Sequence, residues 1–307
     1  MYVNENIIKF ISSQLKKPTT FDEQIEILKN RNLIIEDEDF ARKILKGINY
    51  YYITGYLYNF KKVGTDYYIE NLTFNYIYRI IKFDMRLRSI FLYAMEMIER
   101  NLKTTIAYHF SHNYPEGNIS YLYDRDFNDK KKHSTFIEYI NKNIENNEDL
   151  PFIQHHKVNY QGYYPIWVAI EIFTLGNLEN FYSLLNTKVQ KIIAREYDCS
   201  KAQMENWIES VRRFRNMLAH DTRLYNSKVI FTPLKKKECN ITTNKIFDYV
   251  LVMKHLMLDK EEWDNRVILD IKNIFEEFKT DIDIKCIGFP ENWEEILKNN
   301  SSLSNSI

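Results

Sequence analysis

Residues 75–112 read NYIYRIIKFDMRLRSIFLYAMEMIERNLKTTIAYHFSH, and this stretch decides the fold class. Its apolar residues recur at spacings of three and four, at Leu87, Phe91, Ala94, Ile98, Leu102 and Ile106. Charged residues occupy the other face of the same helical wheel, namely Arg86, Arg88, Glu96, Arg100 and Lys103. This period is that of an α-helix with one face in a core. The stretch therefore predicts one long helix at the centre of the protein.

The rest of the chain also favours helices. Its 307 residues include seven Gly and six Pro, whereas compact all-β folds need turn residues every few positions. Capping-box patterns at Thr20–Glu23 and Ser200–Gln203 predict two helix starts. Further helices are expected near 244–258 and 261–278 and on either side of an interruption at Gly176. One more is expected inside the polar segment 113–165, where Phe136, Ile140 and Ile144 share a face. A short stretch at 229–231 has an extended pattern. An all-α protein is the expectation.

Charge and cysteine content narrow the function classes. Forty-two Lys and Arg balance forty-two Asp and Glu, so no overall field attracts nucleic acid or an anionic membrane. Cys199, Cys239 and Cys286 are isolated, which argues against a disulfide framework. No stretch approaches the roughly 18 apolar residues that span a bilayer. We expect a cytoplasmic protein with no membrane association, in which any nucleic-acid site is a local patch.

The motifs of several cofactor-dependent enzymes are absent from the sequence. No two glycines have the G-x-G spacing, and there is no P-loop or nucleophile elbow. His109 with His112, and His155 with His156, have spacings that a metal could use, but acidic or cysteine partners at ligand spacing are missing. Neither a cofactor nor a metal is expected.

The helix that begins at Ser200 has an unusual polar face. Its apolar stripe consists of Met204, Trp207, Val211, Phe214 and Leu218. At about 100° per residue, Arg213, Asn216 and His220 share the opposite face if the helix stays regular that far. Arg215 lies at the edge of the stripe, where its guanidinium can reach solvent. Arg212 lies on the other flank, and Arg223 follows one turn after His220. A solvated face with one histidine is the plain interpretation of this pattern.

The flanking residues favour a functional interpretation. Residues 215–226 read RNMLAHDTRLYN, which resembles the R-N-x-x-A-H-x-x-R-L-x-N signature of the Abi-like (AbiD/AbiF) abortive-infection family, part of the HEPN superfamily. Blocks similar to that family's occur in the same order, from Pro18–Phe21 through Phe173–Leu178 to Gly288–Trp293. Asp221 departs from the pattern, because the family more often has a second histidine there.

The resemblance implies a HEPN-like helical bundle. Residues 1–74 would be an N-terminal helical region, and 75–226 the core, with an insertion at about 113–165. Residues 227–298 would be C-terminal helices packed on the core, and 299–307 a disordered tail.

The resemblance also implies an activity, which is metal-independent cleavage of RNA through its own 2′-hydroxyl. His220 would transfer the proton, Arg215 would stabilise the charge on phosphorus, and Asn216 would orient one of them. Arg212, Arg213 and Arg223 would bind RNA, and Arg100 of the long helix would touch it. A homodimer would form the cleft from two copies of the motif. A phage-defence or toxin–antitoxin role, with a small non-coding RNA or an antitoxin as partner, follows from the same resemblance.

Two other interpretations remain open at this point. The first is a non-catalytic RNA-binding module that has the same fold and is regulated by a partner RNA or protein. The second is a helical domain that binds only proteins. An intact Arg-Asn-x-x-Ala-His favours the nuclease, because a silent binder needs no histidine beside the arginine.

Overall fold

The computed structural model describes residues 15–127, 129–236 and 241–298, and it confirms the all-α class. The chain divides into two compact units, residues 1–82 and 83–307. The boundary lies inside the longest helix, eight residues after the point where our sequence interpretation began the core. The tail at 299–307, expected to be disordered, lies outside the described residues.

Residues 15–82, the described part of the first unit, contain three short α-helices and the start of a long one. These are α1 (Phe21–Lys29), α2 (Glu38–Gly47), α3 (Tyr50–Leu57) and the first residues of α4 (Phe74–Asn113). The Thr20 capping box at the start of α1 is confirmed, and Asp37 caps α2 by accepting from the Phe40 amide. Isolated β-bridges join Ile34 to Thr73 and Lys61 to Tyr68.

Helix α4 confirms the long helix that the sequence predicts. The residues of its apolar face are fully buried, including Leu87, Phe91 and Ile98 at 0% exposure. One assignment on this helix was wrong, since Arg88 is 5% exposed and does not face solvent. Arg88 lies about 60° from Phe91 on the wheel, so it belongs at the margin of the buried face.

The second unit continues from α4 through ten further helices in the described ranges. They are α5 (Lys130–Asn146), α6 (Pro151–Asn159), α7 (Ile166–Ala169), α8 (Leu175–Leu184), α9 (Thr187–Glu196), α10 (Lys201–Ala219), α11 (Ile246–Leu256), α12 (Lys260–Glu262), α13 (Ile268–Glu277) and α14 (Trp293–Leu297). A π-helical turn, Trp263–Val267, joins α12 to α13. None of the helices in these ranges has both the length and the apolar composition needed to cross a bilayer.

Three local expectations need correction. The interruption expected at Gly176 lies at Phe173 and Thr174 instead, because Thr174 and Asn177 form a reciprocal capping box that starts α8. The polar segment 113–165 contains a second helix, α6, which Pro151 begins. Val229 forms no strand, although its amide donates to the Asn244 carbonyl at 2.9 Å.

Candidate functional site

Helix α10 has a buried apolar face, and the packing of that face fixes the position of its polar face. Ser200 and Gln203 form the predicted capping box, which satisfies free amides at the helix start. The predicted stripe, from Met204 to Leu218, is at most 1% exposed. Phe214 packs between Phe91 of α4 and Tyr249 of α11, at ring-centroid distances of 5.5 and 5.0 Å. These contacts fix the rotation of α10 about its axis.

The helix ends at the histidine of the motif. His220 is the C-cap, and its amide donates to the Asn216 carbonyl at 3.0 Å. Asp221 adopts a left-handed conformation with φ of 52°, and the Thr222 amide donates back to the Met217 carbonyl at 3.0 Å. This is the 6→1 bond of a Schellman-type ending. The chain therefore leaves the helix directly after His220, and Arg223 is not one turn further along it.

Arg215, Asn216 and His220 are all exposed at this end of α10. Within the described residues, their side chains have no hydrogen bond or ion pair with the protein. A guanidinium, an amide and an imidazole are thus each exposed to solvent near the end of α10. Asn216 and His220 lie four residues apart on one face, and Arg215 lies about 140° from His220 on the wheel. These side chains can bind a phosphate and exchange a proton with a ligand.

Two charged residues that our sequence reasoning missed hold the segment after His220. Asp84 is 0% exposed and accepts from the amides of Leu224 at 2.8 Å and of Tyr225 at 3.0 Å. One turn further along α4, the Arg88 guanidinium donates to the Thr222 carbonyl at 3.0 Å and lies 3.3 Å from the Asp221 carboxylate. Both residues therefore position the chain that follows the motif.

A signal for these two residues existed in the sequence. Asp84 lies about 20° from Phe91 on the wheel of α4, which places a charge inside an apolar stripe. Buried charges occur where they are hydrogen-bonded or paired. An acid and a base four residues apart on a buried face are therefore typical of residues that hold a neighbouring segment.

The other arginines of the predicted site are engaged within the fold. Arg212 pairs with Glu179 of α8, and the two side chains are 27% and 29% exposed. Arg213 pairs with Glu209 at 2.8 Å and lies over the Phe231 ring at 4.9 Å. Arg223 is partly buried. The flanking positive charge is thus partly neutralised by glutamates, and Arg215 is presented differently from Arg212 and Arg213.

Arg100 lies away from the other predicted residues within one chain. Helix α4 is level with the end of α10 at Arg88, and Arg100 follows twelve residues later, about 18 Å along the axis. Arg100 is 67% exposed and pairs with Glu96 at 2.7 Å. The fold therefore does not bring Arg100 beside Arg215 and His220.

The histidines considered as metal ligands have other neighbours. His109 lies 3.1 Å from a Glu196 carboxylate oxygen, and His112 Nδ1 lies 2.8 Å from the Tyr108 carbonyl. His155 and His156 contact each other and Tyr160 through their rings. Across the part of the chain that the structure describes, His, Cys, Asp and Glu side chains form no cluster of three or more suited to a metal ion.

Comparison with known proteins places the chain in a family. No curated protein and no solved structure matches it significantly. The family model described as Abi-like protein matches residues 43–226, which is more than half of the chain. The match ends at Asn226, so it includes the whole of α10 and the segment held by Asp84 and Arg88. The chain therefore belongs to the Abi-like protein family.

Proposed function

We propose that this protein is a metal-independent endoribonuclease of an abortive-infection system. One observation carries the proposal, which is the joint exposure of Arg215, Asn216 and His220 at the end of α10, without partners among the described residues. A guanidinium can bind a phosphate, and an imidazole can transfer a proton near neutral pH. The trio therefore supplies the groups that a ligand carrying phosphate needs.

RNA contains its own nucleophile, so the residues have few tasks. His220 removes the proton of a ribose 2′-hydroxyl, whose oxygen then attacks the adjacent phosphorus and displaces the 5′-oxygen. Arg215 stabilises the negative charge on the phosphorane oxygens with its planar fork. Asn216 orients the phosphate or the imidazole through hydrogen bonds. The leaving oxygen takes up a proton, and the products carry a 2′,3′-cyclic phosphate and a 5′-hydroxyl.

We place this chemistry at the interface of a homodimer. Each chain has one copy of the motif at the exposed end of α10, and a two-fold axis beside that end would bring two copies together. The second copy would supply a proton donor for the leaving oxygen. Arg212, Arg213 and Arg223 of both chains would surround the cleft and bind the RNA backbone.

The family membership supports a role in phage defence, in which RNA cleavage stops the growth of an infected cell. Such an activity must be restrained until infection, so a partner RNA or an antitoxin protein is part of the proposal. The trigger would act by freeing the exposed trio from that partner.

Incubating the purified protein with mixed RNAs in EDTA tests the nuclease directly. We expect fragments that end in 2′,3′-cyclic phosphate, and a loss of cleavage of at least 100-fold in His220→Ala, because general acid–base catalysis contributes about 10²–10⁴-fold. Arg215→Ala should lower cleavage to a similar extent. His155→Ala is the matched control, since His155 is also an exposed histidine on a helix of the second unit.

Two results would overturn the proposal. One is cleavage that survives in His220→Ala, and the other is cleavage that EDTA abolishes. If wild type and His220→Ala bind RNA equally and neither cleaves it, in vitro or in cells infected by phage, the non-catalytic RNA-binding module is favoured.

A further inference from the structure

A groove with a volume of about 700 Å³ lies in the second unit, away from the end of α10. One wall is the C-terminal part of α4, from Thr104 to His112, and the other includes Trp167 and Glu171. Gly117 also lines the groove, and a Cβ atom on it would lie 1.7 Å from the Ser111 carbonyl oxygen. Only glycine allows the loop to approach α4 this closely, so the shape of the groove is specified by the sequence.

Exposed aromatic rings line this groove. Tyr108 is 56% exposed and Trp167 is 52% exposed, although large aromatic side chains usually bury most of their surface. The ring centroids of Tyr108 and His112 are 4.3 Å apart and the ring planes are at 35°, so one ring lies over the other as a tilted stacked pair. The hydrogen-bond contact between His112 Nδ1 and the Tyr108 carbonyl, at 2.8 Å, holds the imidazole in this position.

The groove that contains the Tyr108 and His112 rings is also lined by polar groups. The side-chain amide of Asn118, the Glu171 carboxylate and the indole N–H of Trp167 have no hydrogen-bond partner among the described residues. Together they supply hydrogen-bond donors and acceptors beside the aromatic rings. This composition suits a flat heteroaromatic ring with a polar edge better than an aliphatic ligand or an apolar helix.

Two cationic side chains of α4, Arg100 and Lys103, lie next to residues that line the groove. Arg100 precedes Thr104 by one helical turn on the same exposed face of α4, and Lys103 Nζ donates to the Glu171 carbonyl at 2.8 Å. The Arg100 ion pair with Glu96 has side chains 67% and 70% exposed, and exposed pairs of this kind are weak. A phosphate can therefore compete for the Arg100 guanidinium.

We propose that this groove binds unpaired bases of single-stranded RNA, with Trp167 and the stacked Tyr108–His112 pair stacking on them and Arg100 contacting the backbone. The proposal rests on the ribonuclease function proposed above, to which it adds a second contact on the same strand. Thr104 lies sixteen residues beyond Arg88, about 24 Å along α4 from the level of His220. At 3.4 Å per stacked nucleotide this distance corresponds to about seven nucleotides.

Fluorescence anisotropy with a labelled 12-nucleotide RNA of mixed sequence tests the groove. The RNA carries 2′-O-methyl groups throughout, so attack by the 2′-hydroxyl is blocked and binding is measured without cleavage. Stacking on an aromatic side chain is worth about 1–3 kcal/mol per base, so Trp167→Ala and Tyr108→Ala should each raise Kd by about 5–140-fold. Trp167→Phe keeps an aromatic face and should stay within about threefold of the wild type.

Tyr58→Ala is the control for removal of an exposed tyrosine, because Tyr58 is 69% exposed and lies in the first unit. Circular-dichroism melting of each variant shows that the fold is retained. A double-stranded RNA of the same sequence should bind wild type and groove variants alike, since its bases are already stacked.

Three results would overturn the groove proposal. The wild type does not bind the 12-mer, the Kd is unchanged in both alanine variants, or the variants lose as much affinity for the double-stranded RNA as for the single strand. The proposed nuclease is judged separately, by cleavage of unmodified RNA in wild type and His220→Ala. Cleavage that depends on His220, together with an unchanged Kd in the groove variants, would refute the groove alone.

Discussion

At the scale of single residues, the charged groups around the motif fall into two kinds. Asp84 and Arg88 are buried and hold backbone groups of the segment 221–225. Arg215 and His220 are exposed and have no partner among the described residues. The buried charges of Asp84 and Arg88 stabilise the folded state through these hydrogen bonds. The exposed side chains of Arg215 and His220 are available to a ligand. Substitutions should therefore separate stability from activity.

Asp84→Ala tests the first kind. It removes a buried carboxylate that accepts from two amides, and it leaves both amides without partners, so the free energy of unfolding should fall by about 3 kcal/mol. Chemical denaturation measures this change. Glu96→Ala, which removes an exposed carboxylate of the same helix, should change it by less than about 0.5 kcal/mol. A loss below about 1 kcal/mol in Asp84→Ala would show that these bonds do not hold the segment.

At the scale of elements, α10 is fixed by helices on several sides. Phe214 contacts α4 and α11, and Arg212 joins α10 to Glu179 of α8. Arg212 thus belongs to the contact between two helices as well as to the margin of the site.

Arg212 and Arg215 should therefore respond differently to replacement by alanine. Arg212→Ala breaks a pair whose side chains are less than one-third exposed, and should lower the free energy of unfolding by about 1–2 kcal/mol while cleavage of RNA falls less than tenfold. Arg215→Ala should leave stability within about 0.5 kcal/mol and lower cleavage at least 100-fold. Denaturation and cleavage assays on both variants provide the comparison. If Arg212→Ala and Arg215→Ala change stability and cleavage to the same extent, the distinction between a paired and an available arginine is wrong.

At the scale of the whole molecule, a partly buried histidine couples stability to pH. The ring of His255 in α11 stacks on Trp207 of α10, with centroids 5.1 Å apart and planes at 8°. Burial, followed by the positive charges of Lys236, Lys254 and Lys260, lowers the pKa of His255 to about 3. The unfolded chain, with a histidine pKa of about 6.5, takes up a proton at this residue that the folded chain does not. The resulting stability is complete above about pH 6.5 and is lost as the pH falls toward 3.

Unfolding at two pH values tests this coupling. Between pH 7 and pH 5 the His255 contribution should lower the free energy of unfolding by about 2 kcal/mol. His255→Phe keeps an aromatic ring on Trp207 and cannot titrate. Its free energy of unfolding should therefore fall by about 2 kcal/mol less than that of the wild type over the same interval. His155→Gln, at an exposed position, is the control and should lose as much as the wild type. Equal losses in wild type and His255→Phe would rule out His255 as the source.

The proposed dimer is also a property of the whole molecule. We expect a mass of twice 37.2 kDa in solution from light scattering coupled to size exclusion. A mixture of Arg215→Ala and His220→Ala chains, unfolded and refolded together, should regain part of the cleavage that each variant lacks alone, because a mixed cleft would contain one intact residue of each type. An active monomer would contradict the composite site.

Much of this protein could be predicted from local sequence. The 3.6-residue period specified α4 and the buried stripe of α10, because each apolar residue on such a face must find a core. The boxes Thr20–Glu23 and Ser200–Gln203 specified helix starts through bonds between residues three apart. The run 215–226 indicated the family, and the family match bears this out.

Tertiary structure decided which charges are available and which are held. Arg88 looked like a solvent-facing residue in its own helix, yet it is buried against a segment that follows more than 130 positions later in the chain. Arg212 and Arg215 are equivalent as residue types, but Glu179 of another helix engages only the former. The groove likewise combines α4 with residues 117–118 and 167–171. Such pairings depend on the distances between helices that are far apart in the sequence. A helical period shows only which residues share a face of one helix, so it cannot predict them.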